Sequence, residues 1–145
     1  MSRVKPETSS SRLSTRARDE RGSVSIQLVM LLPALFAVMF LGMQAALFYH
    51  ARTVAIAAAQ EGAKAAGGEN GKEADGVQAA EAFIAGAGGD DVLTGATTTA
   101  SRTGTTATVV VQGHSLSVIP GWSPVVRQVA SVPVEHQLDA QHRDY

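Results

Sequence analysis

The chain has 145 residues, of which 45% are hydrophobic and 5% aromatic, and its formal net charge is −1. A chain of this length holds one small domain at most, and the near-neutral charge gives no general attraction to nucleic acid. The sequence contains no cysteine, which excludes disulfides, cysteine-based zinc sites and a thiol nucleophile.

The N-terminal segment, residues 1–22, is polar and basic. It holds six basic residues against three acidic ones and has no apolar periodicity. Such a composition cannot bury enough apolar surface to fold. We therefore predict a disordered basic leader over residues 1–22.

An uncharged apolar run follows at residues 24–49. At about 1.5 Å per helical residue it extends over about 39 Å, more than the ~30 Å hydrocarbon core of a bilayer. We predict a transmembrane helix over residues 23–50. A cleaved secretory signal peptide is an alternative, although its apolar region runs only about 7–15 residues.

The flanking charges predict the orientation of this helix. Four arginines precede the run closely, whereas only Arg52 and the more distant Lys64 follow it. The positive-inside rule then places the N-terminus in the cytoplasm. We expect a single-pass protein of the cell membrane, in contact with membrane lipid, with an extracytoplasmic C-terminal domain.

Four residues inside the run are candidates for helix packing. Pro33 removes one intrahelical hydrogen bond and favours a kink. Gly42 and Ala46 form a small-xxx-small pair that lets two membrane helices approach closely. Gln27 brings an amide near the cytoplasmic end, where it requires a partner. Each of these is also common in single-span helices that pack against nothing.

Residues 51–135 are predicted to form an extracytoplasmic α+β domain. The alanine-rich stretch at residues 51–66 continues the membrane helix outward, and its small residues recur at three- and four-residue steps. These form a narrow seam for close packing, made of Ala51, Ala55, Ala58, Ala59, Gly62 and Ala66. Gly67 and Gly68 end this helix, and a second, short helix is predicted over residues 72–87.

The composition changes to Thr, Val and Gly after residue 92, which favours strands. We predict a small antiparallel sheet of about three strands at residues 96–102, 105–112 and 125–135. Gly113 is expected to end the second strand, and residues 114–124 to form a loop. A polar flexible tail is predicted over residues 136–145.

Two segments are similar to a known family. The sequence RGSVSIQLVMLLPALF at residues 21–36 and the helical continuation HARTVAIAAAQEGAKAA at residues 50–66 resemble TadE-like minor pseudopilins of the tight-adherence (Tad/Flp) pilus apparatus. SVPVE at residues 131–135 is also similar. The resemblance implies a pilin-like fold and cleavage by a prepilin peptidase between Gly22 and Ser23. It also implies other pilin-like subunits and pilus assembly proteins as partners.

One residue departs from the family pattern. The family usually has glutamate at the fifth residue after the cleavage glycine, and Gln27 occupies that position here. Glutamine accepts a hydrogen bond from the new α-amino group of a neighbouring subunit but brings no charge to the pair. Processing after Gly22 and an uncut anchor therefore both stay open.

The sequence offers no catalytic constellation. Gly113, His114 and Ser115 lack the second glycine of a nucleophile elbow. The four histidines, His50, His114, His136 and His142, have no zinc-type spacing. Asp90 and Asp91 offer too few oxygens for calcium. We predict no catalytic residue, no metal, no cofactor and no nucleic-acid partner. Trp122 is interpreted as a core residue, with an exposed anchor for a partner as the alternative.

The predicted function is non-enzymatic. The chain would be a TadE-like minor pilin that acts through lateral helix packing in the assembly of a tight-adherence pilus or a related secretion apparatus. The alternative is an uncleaved bitopic anchor whose outer domain binds a soluble partner or an envelope component. A secreted enzyme released by signal peptidase is a third possibility, which the missing catalytic groups disfavour.

Overall fold

The computed structural model describes the backbone of residues 16–135 and the side chains of residues 25–135. Its elements are α1 (Arg16–Gly67), α2 (Glu73–Gly86), a 3-10 turn (Gly89–Asp91), β1 (Leu93–Arg102), β2 (Thr106–Ser115) and β3 (Val125–Pro133). A long N-terminal apolar helix, a second short helix and a three-stranded antiparallel sheet confirm the predicted α+β class.

The chain divides into two compact units, Met1–Leu41 and Gly42–Tyr145. Helix α1 begins at Arg16, inside the leader predicted over residues 1–22. The start of that leader and the predicted tail at residues 136–145, with His136 and His142, lie outside the described residues. The boundaries predicted at residues 22, 50 and 135 stay predictions.

The sheet has the order β1-β2-β3, with β2 paired to both neighbours. Val109 lies opposite Ala100 on β1 and Ala130 on β3. Burial alternates along β2 from Ala107 to Ser115, as expected for a sheet with one face on the core and the other exposed. The helices cover the face that carries Val109 and Val111.

The C-terminal part of α1 provides the small-residue side of the core. All six residues of the predicted seam are buried. Because alanine and glycine keep the helix surface flat, the strand valines reach close to the helix backbone. The buried cluster comprises Ala51, Ala55, Ala58, Ala59, Ala63, Ala80, Ile84, Leu93, Val109, Val111 and Val126.

The two helices touch through a pair of glycines. A Cβ atom added at Gly62 would lie 2.6 Å from the carbonyl oxygen of Gly76, and one added at Gly76 would lie 2.9 Å from the carbonyl oxygen of Gly62. Helix α2 begins where Asp75 accepts a hydrogen bond from the Lys72 backbone N–H at 2.8 Å. Its Glu73 carboxylate accepts another from the Arg102 backbone N–H at 2.8 Å, which joins the start of α2 to the end of β1.

The prediction that Gly113 ends the second strand was wrong. Strand β2 continues through Gly113 to Ser115, where Gly113 pairs with Val126. A Cβ at Gly113 would lie 2.7 Å from Cγ of Leu93. The glycine therefore makes room for a buried leucine on the neighbouring strand, one of the uses of glycine inside a sheet.

Candidate functional site

The apolar run of α1 is exposed at every residue from Ser25 to Met43. The described part of the helix from Ser25 is long and apolar enough to cross a membrane, and its most apolar window is 0% buried. The exposed large side chains before residue 42 are Ile26, Leu28, Val29, Met30, Leu31, Leu32, Leu35, Phe36, Val38, Met39, Phe40 and Leu41. A surface this apolar requires lipid or protein around it and indicates a membrane anchor.

The predicted packing residues all lie on α1. Pro33 is inside the helix, and Gln27 is exposed on it. Gly42 and Ala46 are exposed, and the space that a Cβ at Gly42 would occupy is open to 4 Å. Positions four apart share one helix face, so this pair leaves a shallow apolar depression on the helix. Helix packing through these four residues stays a prediction.

The predicted cleavage pair, Gly22 and Ser23, lies within the helical backbone of α1. The side chain of Ser23 is outside the described side chains, and cleavage there stays a prediction.

Gln44 is a residue that the sequence reasoning missed. It is only 3% exposed, although it lies between exposed neighbours at the end of the apolar run. Its Oε1 accepts hydrogen bonds from the Val118 backbone N–H at 2.9 Å and from the Ser117 hydroxyl at 3.0 Å. Its Nε2 donates to the carbonyl oxygen of Leu116 at 3.3 Å. One glutamine thus binds the β2–β3 loop, residues 116–124, to α1.

The β2–β3 loop is ordered by its own polar contacts. The Ser117 hydroxyl oxygen accepts a hydrogen bond from the Ile119 backbone N–H at 3.0 Å, and its single proton is shared between the Ile119 carbonyl oxygen and Gln44 Oε1, each 3.0 Å away. The Trp122 backbone N–H donates to the carbonyl oxygen of Ile119 at 3.3 Å. These bonds leave the apolar side chains of Leu116 and Trp122 turned outward, 39% and 50% exposed. The interpretation of Trp122 as a core residue was therefore wrong.

A groove of about 650 Å³ lies between this loop and the adjoining ends of β1 and β2. Thr94, His114, Ser115, Leu116 and Trp122 are among the residues that line it. The hydroxyl oxygen of Ser115 is buried and has no hydrogen-bond partner. A second groove, of about 630 Å³, lies between α1 and β3.

The described residues hold no group of three or more His, Asp or Glu side chains that could bind a metal ion. His50 and His114 are exposed and far apart in the chain. The ion pair between Lys64 and Glu61, at 2.8 Å, joins two exposed side chains on α1 and contributes little to stability. The distinctive features of this chain are thus its apolar helix surface and the loop attached to it.

Residues 22–64 match the family model described as TadE-like protein. That segment covers the apolar run, Gln44 and most of the alanine seam, and the chain is similar to TadE-like proteins over it. No curated protein and no solved structure matches the chain significantly.

Proposed function

We propose that this chain, TadE-like over residues 22–64, is a non-enzymatic minor pilin that helps to assemble a tight-adherence pilus or a related secretion apparatus. It would span the cell membrane once, with its N-terminus in the cytoplasm and its α+β domain outside. The supporting observation is a continuous exposed apolar surface on α1 within the family segment. In this role the helix packs laterally against the helices of other subunits.

Lateral packing is favoured by the surface at the end of the apolar run. Gly42 and Ala46 are both exposed, so a neighbouring helix can approach the backbone there without displacing any side chain of this protein. In lipid, association depends on such close van der Waals contact because burying apolar surface from lipid gains little. Pro33 would bend the helix and so adapt its course to its neighbours.

The proposed function includes removal of the N-terminal leader. A prepilin peptidase would cut between Gly22 and Ser23, so that the mature chain begins at the cytoplasmic end of the apolar run. Gln27 would then lie one turn inside the membrane. Its amide would accept a hydrogen bond from the α-amino group of a neighbouring subunit.

The second candidate function is an uncut membrane anchor whose outer domain holds a soluble partner or an envelope component. Gln27 favours this candidate because a neutral amide attracts an α-ammonium group less than the carboxylate usual in the family. The outer face of the sheet, with Val125 and Val129 more than half exposed, offers such a domain a contact surface.

Site-specific photocrosslinking in native membranes tests the two functions. A photocrosslinking residue replaces Ala46 on α1 in one variant and Thr99 on the outer face of the sheet in a matched variant. Both positions are exposed. The pilin function expects adducts with other pilin-like subunits from position 46. Adducts from position 99 alone would favour the anchor, and recovery of the full-length chain in the soluble fraction would contradict both.

A further inference from the structure

We propose that the β2–β3 loop is a membrane-interface anchor that rests on the outer leaflet, with the Trp122 ring in the lipid headgroup layer. This inference depends on the proposed insertion of α1 in the membrane. It adds a second, peripheral contact between the outer domain and lipid, made by a loop that is distant in sequence from the spanning helix.

The uncharged run at residues 24–49 is longer than the ~30 Å hydrocarbon core, so the depth of the loop is set by where that core begins, which we place at residue 24, next to the basic leader. Residues 24–43 are uncharged, and at ~1.5 Å per residue they cover about 30 Å, the thickness of a bilayer hydrocarbon core. Gln44 is the next residue, so its Cα lies where the helix leaves the hydrocarbon. An unpaired amide is costly at that depth.

The loop supplies the missing partners of that amide. Three groups of residues 116–118 bond the Gln44 side chain, at 2.9, 3.0 and 3.3 Å. The loop therefore lies at the level of Gln44 along α1. The start of β2 lies away from Gln44, because Ala107 packs with Ala66 near the C-terminal end of α1. Strand β2, with 10 residues, thus leads from that end of the domain back toward the membrane.

The chemistry of the loop suits lipid. Residues 116–124, LSVIPGWSP, include no charged side chain. Trp122 is 50% exposed and Leu116, whose carbonyl oxygen bonds Gln44, is 39% exposed, so the loop has an exposed apolar edge. Tryptophan is enriched at membrane interfaces because its ring is apolar and its indole N–H donates a hydrogen bond to water or headgroups.

The experiment uses Trp122 as its own probe, because it is the single tryptophan of the chain. The full chain is reconstituted in phosphatidylcholine vesicles brominated either near the carbonyl end or near the methyl end of the acyl chain. We expect a blue-shifted emission, stronger quenching by the shallow bromines than by the deep ones, and protection from aqueous iodide.

A Trp122→Phe, Thr105→Trp double variant is the matched control. Thr105 is an exposed residue of the β1–β2 turn, at the other end of β2, about 33 Å away at ~3.3 Å per residue. Its tryptophan should be quenched by iodide and not by either bromolipid. An iodide-accessible Trp122 without lipid quenching would overturn the inference, as would a Trp122 protected from both quenchers, which would indicate a protein contact.

Gln44→Leu tests the positioning of the loop. The substitution keeps the helix apolar but removes all three bonds to the loop, so shallow-lipid quenching of Trp122 should fall. Gln60→Leu, the same change at an exposed position of the same helix, should leave it unchanged. Equal quenching in both variants would contradict the role of Gln44.

Flotation of the vesicles tests the proposed membrane function separately from the loop anchor. A chain that does not float with lipid would contradict the proposed membrane function itself. A chain that floats and resists alkaline extraction, but whose Trp122 is not quenched by lipid, would remove the loop anchor alone.

Discussion

Gly62 sits at the closest approach of α1, α2 and β2. A Cβ atom there would lie 2.6 Å from the carbonyl oxygen of Gly76 and 3.1 Å from Cγ1 of Val109. The first neighbour is backbone, so it cannot rotate away. We expect Gly62→Ala to reduce the free energy of unfolding of the outer domain by about 1–3 kcal/mol, the usual cost of overpacking. Urea unfolding of the full chain in detergent, followed by circular dichroism, measures it.

Gly86→Ala is the matched control for that prediction. Gly86 is the last residue of α2, and the space around an added Cβ is open to 4 Å. The same chemical change should therefore cause no loss, and a helical alanine tends to add stability relative to glycine. Equal destabilisation by both substitutions would show that the contact with Gly76 does not determine the result.

Thr98 carries a polar atom that the fold leaves unsatisfied. Its Oγ1 is buried on β1 without a hydrogen-bond partner, beside Val111 of β2 in the register. Because a buried, unpaired hydroxyl costs about 1–3 kcal/mol, replacing it with a methyl group of the same shape should stabilise the domain. We expect Thr98→Val to increase the free energy of unfolding by about 1 kcal/mol. An unchanged or lower unfolding midpoint would contradict this.

At the scale of elements, local patterns predicted most of the outer domain. The recurrence of small residues along α1 identified its buried face, and the Thr- and Val-rich composition identified all three strands. The errors came from tertiary contacts. Gly113 was interpreted as a strand end because the leucine that requires it lies on another strand, at Leu93.

The contact between Gln44 and the β2–β3 loop could not be predicted from the sequence, because it too is a tertiary contact. Gln44 looks like one more polar residue in an apolar run, and its partners lie more than 70 residues away in the chain. Trp122 was interpreted as a core residue, with an exposed anchor as the alternative, yet a loop tied to α1 by Ser117 and Val118 leaves it exposed. A polar residue at the end of a predicted span is a signal that could have pointed to such a contact.

Gly42 and Ala46 give α1 a surface made of small residues, and we expect helix association to depend on it. Gly42→Leu fills the depression beside Ala46 with a branched side chain, and the space around its Cβ is open to 4 Å. We expect it to reduce helix crosslinking to other pilin-like subunits severalfold, about 1 kcal/mol of association free energy. The yield of adducts from a photocrosslinker at position 46 in native membranes measures this effect.

Gly42→Ala keeps the surface small and should retain most of that crosslinking. The melting temperature of the outer domain should be the same for both variants, which separates association from folding. Undiminished crosslinking by the leucine variant would exclude this face as the packing surface.

At the scale of the whole molecule, one helix serves two environments. Its first part exposes large apolar side chains, whereas its outer part buries alanines under a sheet. The change falls near Gln44, where a polar side chain is bonded by the domain instead of by water. A shift of this pattern by one turn would place either a charged residue in lipid or the loop in the hydrocarbon. In the proposed membrane function, the position of Gln44 would therefore limit how deeply the chain inserts.

The leader provides the last prediction, because its processing would create a charge next to Gln27. Cleavage after Gly22 frees an α-amino group on Ser23, and a carboxylate at position 27 of a neighbouring subunit would bind it more strongly than an amide does, by about 1 kcal/mol. We therefore expect Gln27→Glu to increase co-purification with other pilin-like subunits severalfold. Quantitative mass spectrometry of detergent-extracted membranes measures that fraction, and the intact mass shows whether the chain begins at Ser23.

The increase in co-purification should depend on cleavage, so a variant whose leader is not cleaved is the control. In a Gly22→Leu, Gln27→Glu double variant the leader should remain attached, so the α-amino group is absent and the added carboxylate has nothing to pair with. Co-purification should then fall to the level of the Gly22→Leu variant or below it, since an unpaired carboxylate in the membrane is costly. A gain that persists without cleavage would show that position 27 binds some other group, and a gain in neither background would favour the uncut anchor.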